Sequence, residues 1–226
     1  MHSGHLIVTV ARQLGSGGSE IAQIVARRLG IAYIDRQILQ DAAKELGLEE
    51  EELQSRCERL QGFWERLLHV FAQGSPASVY SPPPSRVPSD EMVMAAERDV
   101  LLHLASKGPC VVVGHCGFHL LRERGQLLNV FIHAPTDFRV ARVMKHYGAK
   151  TPEEALESIE LADKERGEYV QELSGALWED ATNYHLTLDA AFTGLERAAE
   201  TITRIASPLL PESAGKAGQS TDGKSS

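Results

Sequence analysis

Cysteine is scarce in this chain. Only Cys57, Cys110 and Cys116 occur in 226 residues, and three thiols make no paired framework. Long apolar runs are missing too: LIVTV and VFI are far shorter than the roughly 20 residues a bilayer helix needs. Nothing at the N-terminus resembles a signal peptide. The expectation is a soluble protein of a reducing, cytoplasmic compartment. Basic residues are outnumbered, 23 Lys and Arg against 31 Asp and Glu, for a formal charge of −8. That balance argues against work done by gripping nucleic acid or anionic lipid, so neither a nucleic-acid polymer nor a membrane is an expected partner. A local basic pocket stays compatible with it. No internal repeat is visible. The length suits one mid-sized domain with extensions, which buries about 70% of its unfolded surface and needs no staple.

What is present is an alternation of strand-length apolar runs with stretches of helical period, which indicates α/β architecture. LIVTV (6–10) is continuous and β-branched, as a strand buried on both faces is. Ile21, Val25 and Leu29 follow at helical spacing, with Gly30 where a C-cap belongs. IAYI (31–34) reads as a second strand leading into a helix that ends near Gly47. Residues 48–72 are charged and helical, with an apolar face of Phe63, Trp64, Leu67, Leu68 and Phe71. Five of the ten prolines fall in residues 74–89, a loop or linker within the domain. A helix over 90–106, strands at 110–113 and 127–134, and a helix through Val140, Val143 and Met144 come next. Thr151-Pro152-Glu153-Glu154 reads as N-cap, proline at the first helical position and a capping-box glutamate, opening a helix to about Leu173. HLTLDA (185–190) is the last strand and LERAAETITRIA the last helix. Residues 207–226 are small and polar and are expected to be disordered.

Between the first strand and its helix lies ARQLGSGGSEIA. Backbone N–H groups of a glycine loop in that context converge on an anion, and the helix start adds a positive dipole end. Against the phosphate-loop pattern G-x-x-x-x-G-K-[ST], Gly17 and Ser19 match. Arg12 stands at the first glycine and Gly18 at the lysine. The dinucleotide pattern G-x-G-x-x-G fails as well, because Gly15 and Gly17 are not followed by glycine at 20. The motif alone therefore leaves phosphate binding and a mere tight turn both open. Arg12 bears on that choice: its guanidinium could supply the missing lysine's charge with geometry suited to phosphate, or it could be a solvated arginine paired with a nearby glutamate.

The segments RQLGSGGSEIA, LGIAYIDRQIL, CVVVGHCGFHLL, VFIHAPTDFRVARV, DKERGEYV and LWEDATNYHLTLD occur in that order. Together they resemble the cytidylate kinase-like family of bacterial proteins, relatives of the phosphate-loop nucleoside monophosphate kinases, over residues 6 to about 205. The resemblance implies a three-layer α/β/α domain at 1–206 with a parallel five-stranded sheet, a helical and proline-rich insertion at about 48–89 and a mobile lid at about 149–175. It also implies transfer of the ATP γ-phosphate to a nucleoside monophosphate, CMP or dCMP by family name, with Mg²⁺. The GSGG loop is typical of the family. His115 is a departure, since relatives commonly read V-G-R there; it either donates to phosphate as a neutral imidazole or fills space at a strand end.

On this resemblance the loop amides of Gly15, Ser16, Gly17, Gly18 and Ser19 cradle the donor phosphates and the Ser19 hydroxyl reaches Mg²⁺. Arg12, Arg142, Asp163 and Arg166 carry the transfer, with Arg166 closing over phosphate and Asp163 orienting it or the incoming hydroxyl. Asp35, Arg36, His115 and Arg139 fall to the acceptor. Plainer readings stand beside these. Arg139 and Arg142 share a helix face and could be an exposed pair bonded to Asp137 and Glu153. Asp163 and Arg166 could be an ordinary ion pair at i, i+3. Asp35 could cap a helix. Cys110, His115, Cys116 and His119 suggest zinc by type. Yet five residues of extended strand put about 16 Å between the first two, too far for one ion.

Two other functional classes remain in view. A nucleotide-binding sensor that kept the fold without transfer would also suit a loop lacking lysine. So would a kinase whose acceptor is another small molecule, its pocket shaped by the insertion. The Phe63/Trp64/Phe71 face buries against either the core or a second subunit, the latter making a homodimer.

Overall fold

The computed structural model describes residues 5–35 and 98–210 in full, and the backbone of 90–97. Arg36, the insertion at about 48–89 and residues 211–226 lie outside the described residues. The strands are β1 (Leu6–Arg12), β2 (Ala32–Ile34), β3 (Cys110–Val113), β4 (Gln126–His133) and β5 (Leu186–Asp189). They form one sheet in the order β2-β3-β1-β4-β5, every pairing parallel. Among them run α1 (Gly18–Leu29), α2 (Asp90–Ser106), the short α3 (Gly117–Leu120), α4 (Thr136–His146), α5 (Pro152–Ser174), the short α6 (Ala190–Thr193) and α7 (Leu195–Ala206).

The continuous apolar run of β1 has a direct cause. Successive side chains point to opposite faces, and both faces are covered. Leu6, Val8 and Val10 pack with Ile21 and Val25 of α1 and with Ala198 and Ile202 of α7. Ile7, on the other face, joins Leu101 and Ala105 of α2. The result is the expected three-layer α/β/α domain. Inside it Thr9 donates to Asn129 Oδ1 at 2.7 Å, tying the buried centres of β1 and β4 together.

Helix ends follow their sequence signals. Gly30 is left-handed at φ 64 and closes α1. Thr151 Oγ1 accepts from the Glu154 N–H at 3.2 Å at the start of α5. The reciprocal arm of the capping box differs by one residue: Glu154 Oε2 accepts from the Lys150 N–H at 2.7 Å, not from that of Thr151.

Within the segment read as a mobile lid, α5 packs Ala155, Ile159 and Ala162 with Leu14 and Val143. One expectation changes. The tail read as disordered from 207 begins with an ordered turn: Ser207–Leu209 is a 3₁₀ helix with proline in its first turn, and Leu209 and Leu210 pack on the core.

All five strands being parallel, their C-terminal ends share one edge. Open α/β sheets bind ligands at that edge. There the loop after β1, the turn after β3 and Asp35 after β2 meet.

Candidate phosphate-transfer site

The loop from Gln13 to Gly17 is folded by its own side chains. Ser16 is fully buried, and its hydroxyl donates to Gln13 O at 2.8 Å. Gly17, at φ 84, is the N-cap of α1 and Ser19 is the second helical residue. As at any helix start, the first N–H groups lack intrahelical acceptors; that of Gly18 donates to Ser16 Oγ at 3.4 Å.

Arg12 explains why no lysine stands at 18. A Cβ on Gly18 would collide with Arg12 Cβ, and would also lie 3.0 Å from Arg12 Cγ and 3.2 Å from Ile132 Cβ. A Cβ on Gly114 would collide with Arg12 Nη1. The arginine therefore leaves the end of β1 beneath the first turn of α1 and runs across the sheet edge to the end of β3. The space a loop lysine needs is filled by a longer cation from the position of the first loop glycine. Burial lowers the Arg12 pKa from its ordinary value, and the fields of Tyr33, Tyr147, Asp35 and Asp163 offset part of that. Asp35, expected at the acceptor, is thus one of the anions facing Arg12.

Asp163 collects three elements. Its Oδ1 accepts from the Leu14 N–H at 2.9 Å and from Arg166 Nη1 at 3.1 Å, and its Oδ2 pairs with Arg139 Nη1. Arg166 also donates to Arg12 O at 3.3 Å, and Arg139 to Leu14 O at 3.4 Å. Asp163 and Arg166 are therefore more than an intrahelical pair: they join α5 to the loop. Arg139 is nearly buried, 8% exposed, beneath the loop. Neither Asp137 nor Glu153 is its partner; α4 turns this residue inward toward α5.

One carboxylate here faces the guanidinium groups of Arg139 and Arg166, with Arg12 close by. Burial first, and then repulsion from Arg12, pull the Arg166 pKa down to about 9, with Asp163 opposing. An anion bound beside Arg166 favours its charged form. Near pH 9 binding of a phosphate compound is expected to take up a fraction of a proton, and at about pH 7 none from this group. Calorimetry of pyrophosphate binding in two buffers of different ionisation enthalpy reads that uptake. Equal uptake at the two pH values would refute it.

Arg142 points elsewhere. It donates to Glu20 Oε2 at 2.8 Å, in the first turn of α1. At the end of β3 the chain makes three left-handed residues in a row, Gly114 (φ 81), His115 (φ 54) and Cys116 (φ 49). Two are not glycine, a strain of about 1–2 kcal/mol each. The strand does not continue through His115, so the 16 Å separation from Cys110 presumed an extension that stops at Val113. The two cysteines face different clusters all the same, Cys110 with α2 and Cys116 with Phe131, Val170, Trp178 and Tyr184. Burial pushes the Cys110 thiol up to about 12.

The glycine loop, with Arg12, Arg139, Arg142 and Arg166 about it, thus sits at one edge of a parallel sheet of order β2-β3-β1-β4-β5. The sequence profile of the cytidylate kinase-like family matches residues 7–191. The chain belongs to that family. No curated protein matches it at the sequence level. A structure of an uncharacterised protein from Eubacterium ventriosum superposes with TM-score 0.65 at 18% identity, covering 89% of this chain and 98% of that one. The structure of TT1252 from Thermus thermophilus gives TM-score 0.50 at 18% identity, covering 93% and 100%. These likenesses concern the fold. With the family, they put the chain on a nucleotide-dependent kinase fold. Among the described residues no helix is long and apolar enough to cross a membrane.

Sequence reasoning missed several participants. Glu20 carries no motif of its own, and its partner Arg142 lies 122 residues away in sequence. The Leu14 amide has no side-chain signature at all. Gln13 donates to Glu179 at 2.9 Å, a second tie between the loop and the segment after α5. Only the acidic first turn of α1 beside a basic helix hinted at the first of these.

Proposed function

We propose that this family member is an ATP-dependent phosphotransferase acting on a nucleoside monophosphate, with CMP or dCMP as the default acceptor. The observation that carries the reading is the occupation of the lysine's place by Arg12. A loop that merely turned would have no use for a buried guanidinium threaded between two glycines, Gly18 and Gly114, that any Cβ would disrupt.

Phosphoryl transfer asks for positioning and charge neutralisation rather than covalent chemistry. The amides of Gly15, Ser16, Gly17, Gly18 and Ser19 hold the donor phosphates. Arg12 and Arg166 neutralise the phosphoryl in passage, Arg12 from the sheet edge and Arg166 from α5. Asp163 is spent on three donors, which makes it a positioning residue for Arg139, Arg166 and the loop rather than a base for the incoming hydroxyl. Asp35 and His115 are assigned to the acceptor on the family resemblance, as is Arg36, which lies outside the described residues. The donor set fits Mg²⁺: a neutral Ser19 hydroxyl leaves the ion's remaining positions to phosphate oxygens and water, as is usual for this metal. When bound, the ion would supply charge neutralisation between the phosphates.

A coupled assay with ATP, Mg²⁺ and a panel of nucleoside monophosphates tests the reading; turnover is expected on at least one pyrimidine monophosphate. Folded protein with no turnover on any of them would overturn it. ATP binding without transfer would instead favour the sensor class, and turnover on a small alcohol alone would favour the other acceptor class.

A further inference from the structure

The Arg142–Glu20 pair sits on the loop and does not look like a surface ion pair. Its guanidinium carbon would be 3.5 Å from a Cβ at Gly17, so the cation lies directly on the left-handed N-cap of the phosphate-binding helix. The Arg142 side chain is 18% exposed and that of Glu20 53%. Only Nη2 is recorded as donating to Glu20. Arg142 Nε is buried with no hydrogen-bond partner among the described residues. A Phe138 ring also lies near the guanidinium, its centroid 5.9 Å from Cζ.

We propose that Glu20 is a positioning residue that holds Arg142 over the loop until a phosphate takes the guanidinium from it. The proposal rests on the phosphotransferase reading above and goes beyond it in assigning Glu20. Three features point the same way. The guanidinium is under-satisfied, since a buried donor left unmade is costly. Its present partner is half in water, where such pairs are worth about 0–1 kcal/mol. A phosphate offers two charge-assisted bonds in the geometry a guanidinium fits. The exchange therefore favours the ligand. The released carboxylate stays stable in solvent at the first turn of α1, where the helix dipole favours negative charge. The chemistry recognised is a polyphosphate, free or as part of a nucleotide.

The test is a double-mutant cycle with two probes, inorganic pyrophosphate and ADP, both without metal. Glu20→Gln is expected to tighten both about fivefold, since no anion is then displaced. Arg142→Ala is expected to weaken both about tenfold or more, and in the Arg142→Ala background Glu20→Gln should change nothing. Equal tightening in both backgrounds would mean Glu20 acts only through its field, and would overturn the proposal. The Arg142 Nε–H resonance of the wild-type protein gives a second readout: it should shift on adding pyrophosphate, and an unmoved resonance with pyrophosphate bound would overturn the proposal. Pyrophosphate binding with the expected coupling but no ADP binding would sink the nucleotide reading and leave the exchange standing. ADP binding without coupling would do the reverse. Binding of neither probe would overturn both.

Discussion

Arg12→Ala is expected to lower kcat/KM for phosphoryl transfer by about a thousandfold or more, the scale on which one preorganised charge at a developing oxyanion counts. The expectation follows from where the guanidinium lies, between Gly18 and Gly114 at the sheet edge. Removing it should not unfold the protein. Arg12 is a buried cation whose own pKa burial lowers, and it repels Arg166, so its loss relieves strain as well as breaking contacts. A thermal melt beside the coupled assay separates the two effects. Gly18→Lys alone is expected to damage the loop, because a side chain at 18 collides with Arg12 Cβ. The swap Arg12→Gly with Gly18→Lys vacates that space and restores the common phosphate-loop arrangement. It should recover about tenfold or more over Arg12→Ala. If Arg12→Ala keeps its kcat/KM within about threefold of the parent, Arg12 has no part in transfer.

Asp163→Asn should be the most destabilising single change near the site. The carboxylate is 14% exposed and is bonded by Arg139, Arg166 and the Leu14 amide. An amide nitrogen in its place would turn one acceptor into a donor facing donors, and the guanidinium groups of Arg139 and Arg166 would lose the anion they share. Removing one partner of a buried ion pair costs about 3–5 kcal/mol. For a chain of this size that lowers Tm by about 10 °C. Pyrophosphate should return a larger part of the lost Tm than it adds to the parent, because it supplies the missing negative charge. A melt within about 2 °C of the parent would show that the arginines do not depend on Asp163. A base-type role would give a different signature, a large loss of kcat with an unchanged melt.

The strands were legible because they are buried on both faces. LIVTV and CVVV have no polar side to alternate with, and that is the mark of a central parallel strand. Helix ends were legible where a cap is local, as at Gly30 and Thr151. The lid at about 149–175 was what the family resemblance implied; the packing of this helix on Leu14 and Val143 was not legible in the sequence, because its small buried residues Ala155 and Ala162 give little apolar signal. The ordered turn at 207–210 was missed because two leucines beyond a proline show no period.

Length and composition allowed one domain with extensions and excluded a disulfide scaffold or a membrane helix among the strongest alternatives. The scarcity of basic charge described the surface, and the ordered motifs pointed to the family. Most of the pairing within the site was decided by tertiary structure. Arg166 meets Asp163 at the i, i+3 spacing the sequence offered, but that Arg139 joins them, that the Leu14 amide does, and that Arg142 meets Glu20 depend on contacts 24, 149 and 122 positions apart. Side-chain direction at such distances is set by how β1, α4 and α5 pack, and no local spacing encodes it. The chain is poor in basic charge overall and rich in it at one sheet edge, because the fold gathers there what the sequence spreads out.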